Sequence, residues 1–333
     1  MLQIRTKSIQ SKFVYPFTTA YGEKTHQPAL LIAISFNGVT GFGEAPAIHY
    51  YDVRVEDMIE TLLAKIEMLQ KYAYTPPERF WHFCHHLFPD HPFLVCALDM
   101  AYWDLYAKIN RKKIYELFPT DLLADMDWQG TPLTDYTIGI ADIETMLQIV
   151  HKHPMPIYKI KVGSSEDAEK LKIIRKHTRS VIRIDANASW SLEQALTLLP
   201  LLESLNIELI EQPFAKDRFE DTRILAEKTS IPVIADESCV SEQDVARCAG
   251  YFDGINIKLT KCAGITPALR MIQECRKRNL QIMMGCMSET EIGSYAIAQF
   301  LPLLNYVDMD GPLLLELPPL KLLRFDQARV SLI

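Results

Sequence analysis

The sequence predicts an α/β chain: a modified TIM-type barrel, (β/α)7β, beneath an α+β N-terminal capping domain completed by the C-terminal tail. Three observations predict it. From residue 136 onward, eight short β-type runs alternate with seven helical stretches. Strands separated by helices imply parallel crossovers, and eight of them close most naturally into a barrel. Before residue 136 the pattern differs: two apolar runs in ALLIAISFNGVTGFGEAP (29–46) meet at Asn37-Gly38, a strong hairpin-turn pair. Finally, no glycine-rich phosphate loop follows an early strand, as an open doubly wound sheet would normally require. GFGEAP lacks the third glycine and reads as a hairpin end that continues into loop.

In chain order, helical segments are expected at about 55–71 and 92–109. The second is apolar nearly all round and should be buried. The strand candidates are YTIGI (136–140), IYKIKVG (157–163), VIRIDAN (181–187), IELIEQP (207–213), PVIADES (232–238), GINIKLT (254–260), QIMMGCM (281–287) and YVDMDGP (306–312). Helices are expected between them near 142–152, 166–178, 191–205, 217–229, 241–249, 266–279 and 289–301. Ser191 and Ser241 stand where N-caps belong. The stretch 116–135 mixes Pro, Gly and acids and marks the boundary. The division is therefore a cap at 1–120, a barrel at 121–311, and a tail at 312–333 that packs back on the cap.

Composition sets the class. The chain has 333 residues, 48% hydrophobic and 23% charged, which excludes a disordered chain. The net charge of −7 argues against a nucleic-acid partner. No apolar run is long enough for a membrane helix, and the N-terminus lacks a signal-peptide core. Seven scattered cysteines without CxxC fit a reducing cytoplasm rather than disulfides or a cysteine-held zinc.

In a parallel barrel, chemistry sits at the C-terminal strand ends. Here those ends read Lys159 and Lys161, Asp185, Glu211, Asp236, Lys258, then Asp308 and Asp310. One charged position recurs per βα unit. The three acids Asp185, Glu211 and Asp236 form an all-oxygen set suited to a hard divalent cation such as Mg2+. The plainer alternative is that each caps the following helix. Lys161 and Lys258, on the second and sixth strands, would face each other across the mouth and suit proton removal on one face and delivery on the other. A lysine acts as a base when neighbouring cations lower its pKa, and Lys159 shares the strand face of Lys161. The alternative is a salt-bridge role. Asp308 and Asp310 share one strand face and could hold an ammonium, or simply form the turn that Asp310-Gly311-Pro312 favours.

These residues resemble the enolase superfamily, in its muconate-lactonizing-enzyme subgroup. The resemblance spans the chain: ALDMAYWDL (97–105), GFGEAP, KIKVG, IDAN, EQP, ADES, NIKLTKCAGI and GCM. Within the subgroup, DMDGP (308–312) is similar to the element by which dipeptide epimerases hold a substrate's α-ammonium. The resemblance implies Lys161 and Lys258 as the acid/base pair and Lys159 as the partner in KxK. It implies Asp185, Glu211 and Asp236 as ligands of one Mg2+ per subunit. Thr137, Asp308, Asp310, Cys286 and Met287 would then contact a dipeptide substrate. The implied reaction is a 1,1-proton transfer through an enediolate, inverting the α-carbon of the C-terminal residue.

In such enzymes a loop near residue 20 closes over the barrel; here it is TTAYGEKTHQP (18–28), with Tyr21 and Lys24 as candidate contacts. His49, Tyr50 and Tyr51 form a second candidate lid segment. Members preferring acidic dipeptides carry an arginine in this loop, and Lys24 lacks its bidentate fork. L-Ala-D/L-Glu, and with it muropeptide metabolism, is the first expectation; hydrophobic dipeptides are the alternative. An o-succinylbenzoate synthase-like lyase has no ammonium for Asp308 and Asp310 to hold. A non-catalytic metal-binding barrel gains nothing from two added lysines. Barrels of this kind often assemble, so a homo-oligomer is expected.

Overall fold

The computed structural model describes residues 1–164 and 166–333. The chain opens with an antiparallel sheet in the order β1 (Gln3–Thr19), β2 (Gly22–Phe36), β3 (Val39–Pro46). Asn37 and Gly38 join β2 to β3 with φ of 49° and 78°, the positive pair a tight hairpin needs. Two expectations change here. GFGEAP does not run into loop but is strand through Pro46. The stretch 18–28 is mostly strand: Thr19 pairs with Gly22, and β2 continues past Pro28. Its threonines favour extended backbone, so the expected loop is the tip of a long hairpin.

Four helices follow: α1 (Val55–Ala64), α2 (Ile66–Gln70), α3 (Pro77–Leu87) and α4 (Pro92–Ile109). The pattern at 55–71 and 92–109 anticipated all but α3. As its nearly all-round apolar surface requires, α4 is buried over most of its length, with Asp99 and Asp104 included and Lys108 exposed. It lies directly on β3. A Cβ on Gly43 would overlap the Ala97 carbonyl oxygen, and one on Gly41 the Ala101 carbonyl oxygen. Asp104 Oδ2 accepts the Phe42 N–H at 2.9 Å and fixes the register. After the short α5 (Thr120–Leu123) the barrel begins.

Its elements are β4 (Tyr136–Ile138), α6 (Ile143–Lys152), β5 (Ile157–Lys161), α7 (Asp167–His177), β6 (Val181–Asp185), α8 (Leu192–Ser204), β7 (Ile207–Glu211), α9 (Phe219–Ala226), β8 (Val233–Ala235), α10 (Glu242–Cys248), β9 (Gly254–Ile257), α11 (Leu259–Cys262), α12 (Ile265–Lys277), β10 (Gln281–Gly285), α13 (Glu291–Ala298) and β11 (Tyr306–Asp308). All eight expected strands form one parallel sheet in sequence order. A parallel bridge from Thr134 to Val307 joins its first edge to its last. The strands stop at Lys161, Asp185, Glu211 and Asp308, or one residue before Asp236 and Lys258. Charged residues therefore mark the rim.

Alternation sorts each strand into two faces. Tyr158, Ile160, Ile182, Ile184, Ile210, Val233, Ala235, Ile255, Ile257, Ile282, Met284 and Val307 belong to the large core shared with the helices. On the other face, Leu209, Ile234 and Met283 form only a small apolar cluster. Arg183 is 2% exposed inside the barrel, held by Asp135, Glu208 and the Val307 carbonyl.

The tail forms α14 (Gly311–Leu314) and the hairpin β12 (Leu323–Asp326), β13 (Arg329–Leu332). It touches the cap, where Leu315 bridges Phe13 and the Glu316 N–H reaches the Lys12 carbonyl at 2.8 Å. It also touches the barrel, where Glu291 accepts the Leu320 and Leu322 N–H groups. Among the described residues, no helix is long and apolar enough to cross a membrane. All seven cysteines are buried free thiols. The packing of β3 on α4 gives a test. Gly43→Ala forces backbone against backbone, and overpacking of this kind costs about 1–3 kcal/mol. Its thermal denaturation midpoint should fall measurably below that of the parent.

Candidate active site

The three acids meet. One oxygen each of Asp185, Glu211 and Asp236 lies within 4.8 Å of the others, and all three side chains are buried. Register places them: Lys161 pairs with Asp185, and Asp185 with Glu211, across β5, β6 and β7. Each acid is also aimed by a protein donor. The Asn187 N–H donates to Asp185 Oδ1 at 2.9 Å. Asn256 Nδ2 donates to Glu211 Oε1 at 2.7 Å, and Lys261 Nζ to Asp236 Oδ1 at 2.5 Å. One oxygen of each acid converges with the others, as an oxygen-ligated divalent cation requires. Glu211 Oε2 makes no directed hydrogen bond and faces the Lys159 ammonium at 2.7 Å, so this oxygen already sits in a cationic environment. Burial and the nearby Asp185 charge push the Glu211 carboxyl above its ordinary value. Burial pushes Asp185 and Asp236 up too, but the lysines beside them prevail and hold both low.

The lysines surround this cluster. Lys161 Nζ donates to Asp185 Oδ2 at 2.5 Å, and Lys258 Nζ to Asp236 Oδ2 at 2.7 Å. Lys161 ends the second strand of the barrel and Lys258 follows the sixth by one residue. Lys159 Nζ lies 3.2 Å from Asp185, 2.7 Å from Glu211 and 2.7 Å from Asp308. Burial lowers Lys258, but Asp236 and Glu211 pull harder, and the net shift is well upward. Lys159 shifts the same way because Asp308 and Glu211 outweigh its burial. Contact with carboxylates dominates over the neighbouring cations.

Asp308 and Asp310 come together with Thr137 and Cys286, though not on one strand. Asp308 ends β11, while Asp310 lies beyond it and precedes α14. Asp310 Oδ2 accepts the Thr137 N–H at 2.5 Å, and Oδ1 faces Cys286 Sγ at 3.8 Å. Burial raises the Asp308 carboxyl, but Lys159 overrides this and holds it low. Burial and the Asp308 charge push Asp310 up to about 7. Asp308 Oδ1 is buried with no hydrogen-bond partner.

A cavity of about 450 Å³ opens above these groups. Its wall includes Thr137, Lys159, Lys161, Asp236, Lys258, Cys286, Met287, Asp308 and Asp310. The hairpin tip roofs it with Tyr21 and Lys24, and the segment after β3 adds His49, Tyr50 and Tyr51. Tyr21 stacks on Tyr50 at 4.1 Å, and its hydroxyl donates to Glu237 Oε1 at 2.7 Å. Burial and the nearby Lys161 ammonium lower Lys24. Sequence reasoning missed Glu237, Asn187, Asn256 and Lys261. Of these, Glu237 and Asn187 had the clearest signal, standing beside Asp236 and Asp185 in strand-end motifs already singled out. Burial and Asp236 raise Glu237 to about 7.

Two family models cover most of the chain. Residues 2–118 match the mandelate racemase / muconate lactonizing enzyme N-terminal domain, and residues 142–311 match the enolase C-terminal domain-like family. The L-Ala-D/L-amino acid epimerase of Flavobacterium johnsoniae is 43% identical over 304 residues, 91% of this chain and 89% of that protein. Among solved structures, a substrate-liganded L-Ala-D/L-Glu epimerase from Bacillus subtilis has a TM-score of 0.91 at 26% identity, covering 99% of this chain and 96% of its own. A dipeptide epimerase from Cytophaga hutchinsonii, complexed with Mg and D-Ala-L-Val, has a TM-score of 0.89 at 27% identity, covering 98% and 91%.

The aimed carboxylates yield a prediction independent of turnover. Calorimetric titration with Mn2+ should show one site, lost in Glu211→Gln. Asn256→Ala frees Glu211 from its orienting donor, and affinity should drop roughly 10–100-fold.

Proposed function

The chain belongs to the mandelate racemase / muconate lactonizing enzyme family of the enolase superfamily, and from that premise we propose that it is a Mg2+-dependent dipeptide epimerase. It is an isomerase acting on amino acid derivatives. The observation that carries the reading is the convergence on one mouth of three aimed carboxylates, two lysines from distant strands and the Asp308–Asp310 pair.

Asp185, Glu211 and Asp236 would hold the ion, and Mg2+ there would supply positive charge toward the enediolate and offset the pull of the carboxylates on Lys159 and Lys258. Asp308 and Asp310 take the substrate's α-ammonium, with Asp310 braced on the Thr137 N–H. Cys286 and Met287 lie along the dipeptide backbone. Lys161 and Lys258 address opposite faces of the α-carbon of the second residue. One Nζ accepts the α-proton, and the other, as an ammonium, donates a proton to the opposite face. A planar intermediate needs both, because one side chain cannot reach both faces.

L-Ala-D/L-Glu is the substrate that Lys24 supports, as a cation in the cavity roof able to meet a side-chain carboxylate. A wider or hydrophobic choice of second residue is favoured by the apolar surface of Phe17, Ile48, Tyr50 and Tyr51. The buried free thiols support a cytoplasmic location, the L-Ala-D/L-Glu reading a part in muropeptide metabolism, and the precedent of similar barrels a homo-oligomer. The cap, in this reading, comprises residues 1–120 and 312–333 over a barrel at 121–311.

The test is α-proton exchange of a dipeptide panel in D2O, followed by NMR. Exchange should cease with EDTA and return with Mg2+. Lys161→Ala and Lys258→Ala should each lower epimerisation roughly 10²–10⁴-fold, and each should spare exchange from one stereoisomer. Full activity in both variants overturns the two-lysine mechanism. The ranking of L-Ala-L-Glu against L-Ala-L-Leu decides the specificity.

A further inference from the structure

One carboxylate of the cap is plugged into the mouth of the barrel. Glu44, on β3, is 1% exposed. Its Oε1 accepts the Thr290 N–H at 2.9 Å. Its Oε2 accepts the Thr290 hydroxyl at 2.6 Å and the Gly293 N–H at 3.1 Å. Thr290 is the N-cap of α13, so a residue nearly 250 positions away satisfies donors that this helix start would otherwise leave unpaired. Both Glu44 oxygens act as acceptors. A glutamine in its place would turn an NH2 group toward one of these N–H donors, whichever way the amide faced.

The anchored segment lies between β10 and α13 and lines the cavity with Cys286, Met287 and Ser288. Glu289 Oε2 accepts the Met287 N–H at 2.5 Å and folds the segment back on itself. Gly311 then rests on it. A Cβ at Gly311 would strike the Glu289 carbonyl oxygen and stand 2.8 Å from the Glu289 nitrogen. The turn that carries Asp308 and Asp310 is therefore laid on the segment that Glu44 anchors.

We propose that Glu44 is a positioning residue that sets the wall receiving the N-terminal half of the substrate. This rests on the reading of the cavity as a dipeptide site. Glu44 touches no reacting atom. It acts through Thr290, Glu289 and Gly311 on Met287, Asp308 and Asp310. Its loss should weaken substrate binding while leaving proton transfer by the lysines nearly intact.

The experiment compares Glu44→Gln, Thr290→Val and Trp103→Phe by steady-state kinetics and by hydrogen–deuterium exchange of the Mg2+-loaded enzyme. Trp103→Phe is the structural control, since it removes a different contact between cap and barrel, Nε1 to Thr266 Oγ1 at 2.9 Å. In Glu44→Gln, KM should rise roughly tenfold and kcat change less than about threefold, the scale of one charge-assisted hydrogen bond. Thr290→Val should show the same pattern more weakly, and it serves alone if Glu44→Gln does not fold. Amides of 286–293 should exchange faster in both variants and unchanged in Trp103→Phe. An unaltered KM in both variants, an equal KM rise in the control, or uniform loosening of the whole barrel overturns the proposal. If the wild-type enzyme epimerises no dipeptide, the substrate reading fails; the exchange pattern still decides whether Glu44 anchors the wall.

Discussion

A buried ammonium on β5 stands among carboxylates from three other strands. Lys159 is 1% exposed and lies within 3.2 Å of Asp185, Glu211 and Asp308. A charge so far from water persists only when it is paired. The acids need the lysine equally, because carboxylates this close repel one another. Lys159 thus ties the candidate metal site to the candidate ammonium site. Lys161, against Asp185, and Lys258 and Lys261, both against Asp236, extend the same balance outward.

Around this charged centre, the cap is attached by a few directed contacts rather than by apolar surface alone. Trp81 Nε1 donates to the Ala263 carbonyl at 2.8 Å. Asp99 accepts both the N–H and the hydroxyl of Thr266 at 2.9 Å. The first contact falls just after α11, which begins beyond Lys258, and the second at the start of α12. The cap therefore braces the lysine-bearing end of β9 as well as roofing the cavity. Burial pushes the Asp99 carboxyl up to about 7, a cost that its bonds to Thr266 partly offset. These bonds tie the cap to the barrel beside the site.

Much of this was legible in the chain. Charged residues at the ends of apolar runs, repeated once per βα unit, marked the residues of the rim. That signal is one-dimensional, and it failed where function depends on neighbours in space. Asn256 and Lys261 stand in the quoted motif NIKLTKCAGI, but its spacing does not show their role; each acts on an acid from another strand. Asp310 was read onto the strand face of Asp308 because they stand two positions apart, but the chain leaves the strand between them. The tip at 18–28 was expected as a loop from the family resemblance, and the pairing of β1 with β2 makes most of it strand. The lysine pKa shifts depended on distances that no spacing encodes.

The inner and outer faces of the barrel strands are different materials. Helix packing uses the isoleucines and valines of the outer face, whereas the inner face carries ions and amides and only a small apolar cluster. Folding and chemistry are thus written on alternate residues of the same strands. An inner residue can change without touching the helix-facing core, provided that local charge balance survives. A barrel organised in this way is free to exchange one reaction for another while its fold persists, and the residues that limit such change are the counter-ions rather than the hydrophobic core.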